Sequence, residues 1–456
     1  MFQKVLVANR GAIAARVIRT LRAMGIKSVA VYSEADAAMP YLAAADESFC
    51  IGAAEPRASY LNQDALLDVL KQSGADGLHP GYGFLSENAI FAQRVNDTGA
   101  RFIGPCPRWI EAMGHKTRAR ALMAESGLPM APSSGLLNGD IAAALEAAEK
   151  IGFPVLVKPA AGGGGIGMEA AHDAGQLAKA ITRASSLSER SFGSTEIYLE
   201  RLMLKPRHIE FQLLADTQGS VRHLFERDCS IQRRHQKVIE ESPAPLLPRS
   251  LVDTAADDIV NVLSKLRYDI IGTAETLYGG DDFQFLEMNT RLQVEHAVTE
   301  EITGVDLVAA QVRLAAGEFL SSVLPAELSA RGHAIEARIY AEDPVRFYPS
   351  PGTLKTLRFP SGHGIRIETG FAEGGTVTPF YDPMIAKIIV HAEDRISAIN
   401  ALIAALDATV IEGVKHNIPF IRMVLDSDEF RSGHVHTGLG AEILARHAKS
   451  RVAAAA

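Results

Sequence analysis

Cysteine is scarce in this chain, and long apolar runs are missing. The three cysteines, Cys50, Cys106 and Cys229, lie far apart and have no metal-ligand spacing, so a reducing cytoplasm is the simplest location for the protein. No stretch approaches the ~20 apolar residues that a membrane-spanning helix needs. The amino terminus, MFQKVLVANRG, enters a predicted strand at once and lacks the pattern of a signal peptide. These absences favour a cytosolic protein with no membrane partner.

An excess of positive charge is missing as well. The chain has 46 lysines and arginines against 54 aspartates and glutamates, which gives a net charge of −8. This balance argues against a protein whose main surface binds nucleic acid or an anionic membrane. Hydrophobic residues make up 47% of the 456 positions, which is enough for the cores of two or three domains. The sequence therefore predicts a globular protein with no nucleic-acid partner.

The first part of the chain has the pattern of a parallel α/β domain. The stretch KVLVANRGAIAARVIRTLRAMGIKSVAVYS predicts a strand, a glycine turn, a helix and a second strand. Such a βαβ unit implies parallel strands. Its turn, NRGAIAAR, lacks the three glycines of a dinucleotide-binding fingerprint, which argues against NAD. Strand and helix signals alternate as far as ARFIGP, so the first domain is predicted to end near residue 115.

The rest of the chain has α+β patterns. A helix is predicted from Lys116, and the prolines and glycine of LPMAPSSGLL end it. A compact α+β stretch covers residues 141–202, strands dominate after Pro206, and a third region of short strands, turns and then helices begins near Gly332. The tail, AKSRVAAAA, offers nothing to pack and is predicted to be frayed.

The ten residues EMNTRLQVEH, 287–296, place polar groups at alternate positions. In an extended chain five of these side chains would share one face: Glu287, Asn289, Arg291, Gln293 and Glu295. A half-buried strand with a solvated face explains such alternation, but these groups also bind hard cations and oxyanions. Fully extended, the stretch from Glu287 to Glu295 would span about 26 Å, too far for one metal cluster. Either the strand bends after Asn289, or the early residues bind a metal and the later ones a neighbouring substrate.

The preceding residues supply a partner strand. IIGTAETLYGGDDFQFLEMN has two apolar runs joined by a Gly-Gly-Asp-Asp turn, which predicts a hairpin. With a five-residue loop, Gly279 to Phe283, Glu275 lies opposite Glu287 with Cβ atoms about 5 Å apart, whereas a four-residue loop would turn Glu275 to the other face. In the first register two carboxylates and Asn289 offer oxygen ligands to Mg²⁺, whose coordination phosphates would complete. That arrangement implies a nucleotide.

A glycine-rich segment, Gly162 to Gly165 plus Gly167, interrupts VLVKPAAGGGGIGMEAA. A flexible hairpin tip or a linker is one interpretation. Lys158 and the strand signals on both sides favour a mobile flap whose backbone covers phosphates. The segment is not a Walker loop, because no Gly-Lys-Ser/Thr follows it.

A basic segment, ERDCSIQRRHQKVIEE, covers residues 226–241. It concentrates five basic side chains, Arg227, Arg233, Arg234, His235 and Lys237. Such a run is most often only a solvated surface. Beside a triphosphate site, the same cations would bind nucleotide phosphates or a small anionic substrate.

Several motifs together resemble the biotin carboxylase family of the ATP-grasp superfamily. They are HPGYGFLSEN, the GGGG loop, RHIEFQ, ERDCSIQRRHQKVIEE, EMNTRLQVEH and EARIYAEDP, in collinear order from NRGAIAARVIRT to about residue 445. The resemblance implies an α/β and α+β fold with a Rossmann-like amino-terminal domain, 1–115, and an ATP-grasp domain, 116–330, whose mobile lid covers about 131–203. A carboxy-terminal biotin carboxylase domain, 331–446, and the frayed tail, 447–456, would follow.

The resemblance also implies roles for the matching residues. ATP would be bound by Lys116, Lys158, Gly163, Gly164, Gly165, Glu200, Met203, His208, Gln232 and His235. Magnesium or manganese would be bound by Glu275, Glu287 and Asn289. Bicarbonate would be bound by Lys237, Arg291, Gln293, Val294 and Glu295, with Glu295 as the base that removes its proton. Arg338 would stabilise the biotin enolate, and Tyr82 and Gly83 would border the biotin pocket.

The implied activity is that of an ATP-dependent ligase, the biotin carboxylase subunit of an acetyl-CoA-type carboxylase. Such enzymes activate bicarbonate as carboxyphosphate and then carboxylate biotin. Carrier domains display biotin on a lysine that follows a methionine, and no methionine here is followed by lysine. Biotin is therefore expected on a separate carrier protein, with a carboxyltransferase and a second copy of this chain as further partners.

Two departures from the family pattern bear on the pathway. Ile166 stands where many members have an arginine, a form associated with the urea carboxylase branch. The final acceptor therefore stays open between acetyl-CoA, another acyl-CoA and a urea-like compound. His115 replaces a residue that is often acidic, with little expected effect.

Two other functions stay open at this point. Another ATP-grasp ligase that forms an acyl phosphate would share the ATP residues but would not need EARIYAEDP or residues 291–295 in this form. A catalytically inactive nucleotide sensor or scaffold is the second alternative. The retained acidic pair and the candidate base argue against it.

Overall fold

The computed structural model describes residues 1–137, 140–160, 167–280 and 282–455. The chain begins with a parallel sheet whose strands are Lys4–Val7 (β1), Lys27–Tyr32 (β2), Glu47–Cys50 (β3), Gly77–His79 (β4) and Arg101–Phe102 (β5). Their order is β3-β2-β1-β4-β5. Five helices connect or follow them: Gly11–Ala23 (α1), Tyr41–Ala44 (α2), Gln63–Ser73 (α3), Ala89–Asp97 (α4) and Pro107–Gly114 (α5).

The first βαβ unit forms as its sequence pattern predicts. Helix α1 buries Ile13, Val17, Ile18 and Leu21, which recur at helical spacing, and the flanking strands β1 and β2 pair in parallel. Because apolar clusters cover both faces of this sheet, the strand positions after Lys4 in β1 and after Ser28 in β2 are apolar.

A small separate sheet lies within the interval that the sequence assigns to a lid. After helix Lys116–Glu125 (α6), the chain forms Ile141–Ile151 (α7), Val155–Pro159 (β6), Glu169–Ala171 (β7), Ala174–Phe192 (α8) and Ile197–Arg201 (β8). The strand order is β7-β6-β8. Helix α7 starts at Asp140, whose carboxylate accepts hydrogen bonds from two backbone N–H groups. Strands and helices of this unit enclose their own apolar core.

The strand-rich middle of the chain and the carboxy-terminal region share one large sheet. The middle has Arg207–Ala215 (β9), Val221–Arg233 (β10), Gln236–Ser242 (β11), Arg249–Leu266 (α9), Ile270–Tyr278 (β12), Phe283–Asn289 (β13), His296–Thr303 (α10), Leu307–Ala315 (α11) and Leu320–Val323 (α12). Then follow His333–Tyr340 (β14), Gly352–Thr353 (β15), Thr356–Arg358 (β16), Ile365–Thr369 (β17), Thr376–Val377 (β18) and Met384–Ala392 (β19). Within the described ranges the order of the large sheet is β13-β12-β9-β10-β11-β14-β19-β17. Its β11–β14 pairing is antiparallel and crosses the predicted domain limit at 330.

The chain ends in Arg395–Ala408 (α13), Val410–Glu412 (β20), Ile418–Leu425 (α14), Asp428–Arg431 (α15) and Leu439–Ala455 (α16). The sequence predicts a frayed tail over 447–456, whereas α16 continues through it to Ala455. Alanine has the highest helix propensity, which explains why the residues after Arg451 extend the helix. Among the helices that the structure describes, none combines the length and the apolar character needed to cross a bilayer.

A buried cluster of ionisable side chains connects the carboxy-terminal helices to the large sheet. Glu241 of β11 is 2% exposed and accepts hydrogen bonds from Arg395 Nε at 2.6 Å and from the ring of His333 at 2.8 Å. Burial alone would raise the pKa of Glu241, but the contacts with His333 and Arg395 lower it to about 2. Since the folded-state pKa lies below the ordinary value of 4.5, the carboxylate stabilises the fold above pH 4.5 and loses this effect toward pH 2.

We expect Glu241→Gln to lower the free energy of unfolding at pH 7 by about 3 kcal/mol. The urea midpoints of the variant and the unchanged protein should converge as the pH falls from 5 to 3, because the unchanged carboxylate becomes protonated on unfolding. Glu327→Gln at an exposed position is the matched control and should show no such trend. A constant difference across this pH range would contradict the role of Glu241.

Candidate active site

One cavity of about 970 Å³ lies between the amino-terminal domain, the lid and the large sheet. It is large enough for a nucleotide and a second small substrate. The predicted site residues within the described ranges all line it: Tyr82, Gly83, Lys116, Lys158, Glu200, Met203, His208, Gln232, His235, Lys237, Glu275, Glu287, Asn289, Arg291, Gln293, Val294, Glu295 and Arg338. Gly163, Gly164, Gly165 and Ile166 lie outside the described residues.

The hairpin β12–β13 brings the predicted acidic pair together. Glu275 is directly opposite Glu287, as the five-residue loop predicts, yet the two strands are separated by only four residues, from 279 to 282. The predicted loop length was therefore wrong. A register shift between Glu275 and Thr276 leaves Leu286 as an extra residue and restores the opposite position of the two glutamates.

A bend follows Asn289, which is one of the two alternatives that the sequence leaves open. Strand β13 ends at Asn289, and the chain turns through residues 290–295 before α10 starts at His296. The alternate spacing of the later polar residues is therefore not that of a strand. The turn gathers Arg291, Gln293 and Glu295 beside the end of the hairpin, on the lining of the same cavity.

Lys237 lies at the end of the cavity where the residues predicted to bind bicarbonate are found. Its Nζ lies 2.6 Å from Glu210, 2.9 Å from Glu275 and 2.7 Å from Glu295. Burial alone would lower the pKa of Lys237, but these three carboxylates raise it well above its ordinary value. Lys237 is therefore a permanent cation beside three carboxylates.

Glu295 is a fully buried carboxylate between two cations. Arg338 Nη2 donates to Glu295 Oε2 at 2.9 Å, and Lys237 donates to Oε1. Burial alone would raise the pKa of Glu295, but Lys237, Arg338 and Arg227 hold it well below its ordinary range. Glu295 is thus ionised at neutral pH, and these cations make it a weak base as long as both contacts persist.

Arg338 also contacts a carboxylate that the sequence motifs did not single out. Its Nε lies 2.6 Å from Oε1 of Glu240, which is directly opposite Glu336 on strands β11 and β14. Burial raises the pKa of Glu240 to about 8 against the effect of Arg338, and burial raises the pKa of Glu336 to about 7. The charge of Glu336 contributes to the raised pKa of Glu240.

Further partners of the predicted residues come from distant parts of the chain. Glu87 accepts a 2.8 Å hydrogen bond from Arg291 Nε and a second from the Thr290 N–H. Glu210 contacts Lys237 and the buried Arg227, at 2.6 Å from each. Glu87 and Glu210 lie inside the motifs HPGYGFLSEN and RHIEFQ, so these motifs contained the signal that would have identified them.

The two lysines that are predicted to bind nucleotide phosphates each form an ion pair with a glutamate. Lys158 Nζ lies 3.1 Å from Glu200 Oε1, and Lys116 Nζ lies 3.1 Å from Glu287 Oε2. His235 occupies a two-residue turn between β10 and β11 with positive φ at both Arg234 and itself, 46° and 65°. This turn places the imidazole on the cavity lining, and burial lowers its pKa.

The donor set fits a magnesium-bound nucleotide. Glu275 and Glu287 offer carboxylate oxygens from opposite residues, Asn289 offers an amide oxygen, and these are ligands that Mg²⁺ and Mn²⁺ accept. Both carboxylates have a lysine partner here, and His208 Nε2 lies 3.0 Å from Glu275. Burial alone would raise the pKa of Glu275, but Lys237 and His208 lower it, which keeps this ligand ionised.

Comparison with known proteins agrees with this geometry. The family models that match are "Biotin carboxylase, N-terminal domain" over residues 1–110, "Carbamoyl-phosphate synthase L chain, ATP binding domain" over 115–323, and "Biotin carboxylase C-terminal domain" over 336–441. A biotin carboxylase of Halalkalibacterium halodurans is 49% identical over 96% of this chain and 97% of its own length. A pyruvate carboxylase subunit of Methanothermobacter thermautotrophicus is 46% identical over 96% of this chain and 89% of its own length.

Solved structures show the same fold. The Campylobacter jejuni biotin carboxylase in complex with β,γ-ATP superposes with a TM-score of 0.94 at 41% identity, over 98% of this chain and 99% of that one. The biotin carboxylase domain dimer of the Hydrogenobacter thermophilus 2-oxoglutarate carboxylase, in complex with MgADP, ADP and bicarbonate, gives 0.93 at 41% identity, over 97% and 99%.

Proposed function

This chain belongs to the biotin carboxylase family, and on that premise we propose how its cavity performs the reaction of the family. The protein is an ATP-dependent ligase that activates bicarbonate as carboxyphosphate and carboxylates biotin on a separate carrier protein. One observation carries this function. Phosphate-binding lysines, a pair of metal-binding carboxylates and a cationic pocket with a buried base line a single cavity.

Lys237 and Arg291 hold bicarbonate in this proposal, with Gln293 and the Val294 backbone beside them. A bound anion competes with Glu295 for Lys237, so it weakens the contact that keeps the pKa of Glu295 low. Glu295 then becomes a stronger base at the moment when its substrate arrives. It accepts the bicarbonate proton as a bicarbonate oxygen attacks the terminal phosphorus of ATP and ADP leaves.

The chain's cations and carboxylates align the nucleotide for this attack. Lys116 and Lys158 bind its phosphates, and His208, Gln232, His235, Glu200 and Met203 border the rest of the molecule. The glycines 163–165 remain predicted phosphate ligands. Glu275, Glu287 and Asn289 would hold magnesium, which neutralises phosphate charge when bound.

Arg338 serves the second half of the reaction in this proposal. Carboxyphosphate breaks down to CO₂ and phosphate, phosphate takes the proton from the reacting ureido nitrogen of biotin, and that nitrogen attacks CO₂ to form carboxybiotin. Arg338 offsets the negative charge that develops on the ureido group, and it remains charged whatever the pH of the reaction. Tyr82 and Gly83 border the biotin pocket. Gly83 has a φ of +69°, a conformation that suits glycine in the turn beside Tyr82.

The partners follow from the family. A biotinylated carrier protein and a carboxyltransferase complete the pathway, and the carboxyltransferase selects the final acceptor. A homodimer is supported by the dimer named for the Hydrogenobacter thermophilus domain. A cytoplasmic location is supported by the three free cysteines, Cys50, Cys106 and Cys229.

Bicarbonate-dependent ATP hydrolysis is the direct test of this function. We expect the purified protein to hydrolyse MgATP when bicarbonate is present, and free biotin to raise the rate, because biotin consumes the activated carboxyl group. Phosphate release is measured with and without each compound, with chloride replacing bicarbonate at equal ionic strength. Hydrolysis that is indifferent to both compounds would instead support the alternative of another ATP-grasp ligase.

A further inference from the structure

Two amide side chains lie in parallel between the bicarbonate pocket and the acidic pair. Arg291 donates to Asn289 Oδ1 at 2.9 Å and to Gln293 Oε1 at 2.8 Å. The nitrogen ends of both amides donate to the same acceptor, Glu275 Oε1, at 2.9 Å from Asn289 and 3.2 Å from Gln293. Each amide therefore bridges one guanidinium and one carboxylate.

The partners fix the direction of each amide. A guanidinium has only donors, and an ionised carboxylate has only acceptors, so the amide oxygen must face Arg291 and the amide nitrogen must face Glu275. Both side chains are buried, at 6% exposure for Asn289 and 3% for Gln293, so water does not readily replace these contacts. The structure thus has two parallel dipoles between a cation and an anion.

The proposed ligands require the opposite ends of these amides. A metal ion at Glu275 attracts the Asn289 oxygen, which Arg291 now occupies. A bicarbonate at Arg291 attracts the Gln293 N–H₂ group, which Glu275 now occupies. A cation at one end and an anion at the other therefore favour the same reversal of the two dipoles.

We propose that Asn289 and Gln293 couple the two sites, so that binding of bicarbonate at Arg291 promotes binding of the metal-bound nucleotide at Glu275, and the reverse. This inference rests on the proposed function and adds a linkage between its two substrates. When only one ligand is bound, the site at the other end of the amides is empty. The residue at that end, Arg291 or Glu275, still favours the original direction of the amides and opposes their reversal. The second ligand finds them already reversed, which is positive coupling without any movement of the backbone.

Calorimetric titration of the full chain with Mg·ADP, with and without saturating bicarbonate, measures this coupling. ADP is used because it binds without turnover, and chloride replaces bicarbonate at equal ionic strength. We expect bicarbonate to tighten Mg·ADP binding by about fivefold or more in the unchanged protein. The ratio of the two dissociation constants is the readout, so a general change in nucleotide affinity cancels.

The variant Asn289→Asp removes the amide dipole of the side chain but keeps nearly the same side-chain shape. Its carboxylate has two oxygens and can face Arg291 and a metal ion at the same time, so no reversal is needed. The ratio of the two Mg·ADP dissociation constants should therefore fall below about twofold, and the remaining effect is the direct attraction between the anion and the metal. Gln293→Glu should lower the ratio in the same way and serves if Asn289→Asp folds poorly. Gln236→Glu is the matched control: it adds the same charge to the same cavity, but the Gln236 amide contacts Tyr340, and the ratio should not change.

Three results would be decisive. A lower ratio in both variants with an unchanged ratio in the control supports the coupling. Equal ratios in Asn289→Asp and the unchanged protein would overturn it, although the proposed function would stand as long as both ligands bind. ATP hydrolysis that is indifferent to bicarbonate, in the kinetic test of the proposed function, would overturn the proposed function itself.

Discussion

Replacing Glu295 by glutamine lowers bicarbonate-dependent ATP turnover by about 10²- to 10⁴-fold, the usual contribution of a general base. The amide has nearly the shape of the carboxylate but cannot take up the bicarbonate proton. Nucleotide affinity stays close to that of the unchanged protein, because Lys237 retains Glu210 and Glu275 as partners and Arg338 retains Glu240. The measurement pairs steady-state phosphate release with the dissociation constant of Mg·ADP.

The control for this variant is Glu241→Gln, another exchange of a buried glutamate, which contacts His333 and Arg395 and does not line the cavity. It should retain turnover at neutral pH. A parallel loss of Mg·ADP affinity in Glu295→Gln would show that Glu295 binds nucleotide, and the assignment as the base would then be wrong.

Replacing Arg338 by alanine lowers the carboxylation of free biotin by about 10²- to 10³-fold, the usual effect of removing one group that stabilises developing charge. Lysine at this position would not restore the rate, because a single ammonium group cannot replace the two separate nitrogens with which Arg338 contacts Glu240 and Glu295. Protonation of Glu240 limits the cost to stability, since burial already raises its pKa to about 8. Mg·ADP binding is expected to be spared.

Fixation of labelled bicarbonate onto free biotin measures this effect, together with calorimetric Mg·ADP binding. Arg313→Ala is the matched control, because Arg313 pairs with Glu318 at the surface and lies outside the cavity. Normal biotin carboxylation by Arg338→Ala would refute the assigned role.

Local patterns in the sequence predicted much of the site. The βαβ unit and the hairpin follow from apolar periodicity and from turn residues, which act over a few neighbouring positions. The bend after Asn289 was one of two alternatives that the sequence left open. The loop length of the hairpin was wrong because a bulge at Leu286 depends on packing across β12 and β13, which periodicity does not encode. The pairing of Glu275 with Glu287 was nevertheless right.

Long-range partners could not be predicted in this way. Glu240 contacts Arg338 because β11 pairs with β14, although residues 243–332 separate the two strands in the chain. Lys387, 1% exposed, lies 3.0 Å from Glu368 and 3.3 Å from Glu336 for the same reason. Such contacts depend on strand order, and strand order is set by the whole fold. A sequence pattern identifies the charged residue but not the strand that will lie beside it.

The pairing of β11 with β14 bears on how this enzyme could be divided. Strands that carry the acidic pair and the strand that carries Arg338 belong to one hydrogen-bonded sheet, so the distance between the two reaction centres is set by backbone geometry. A fragment that stops at residue 330 would keep Gln236–Ser242 as an unprotected edge, open to pairing with a neighbouring molecule. Engineering that splits or recombines such enzymes should therefore keep β11 and β14 in the same fragment.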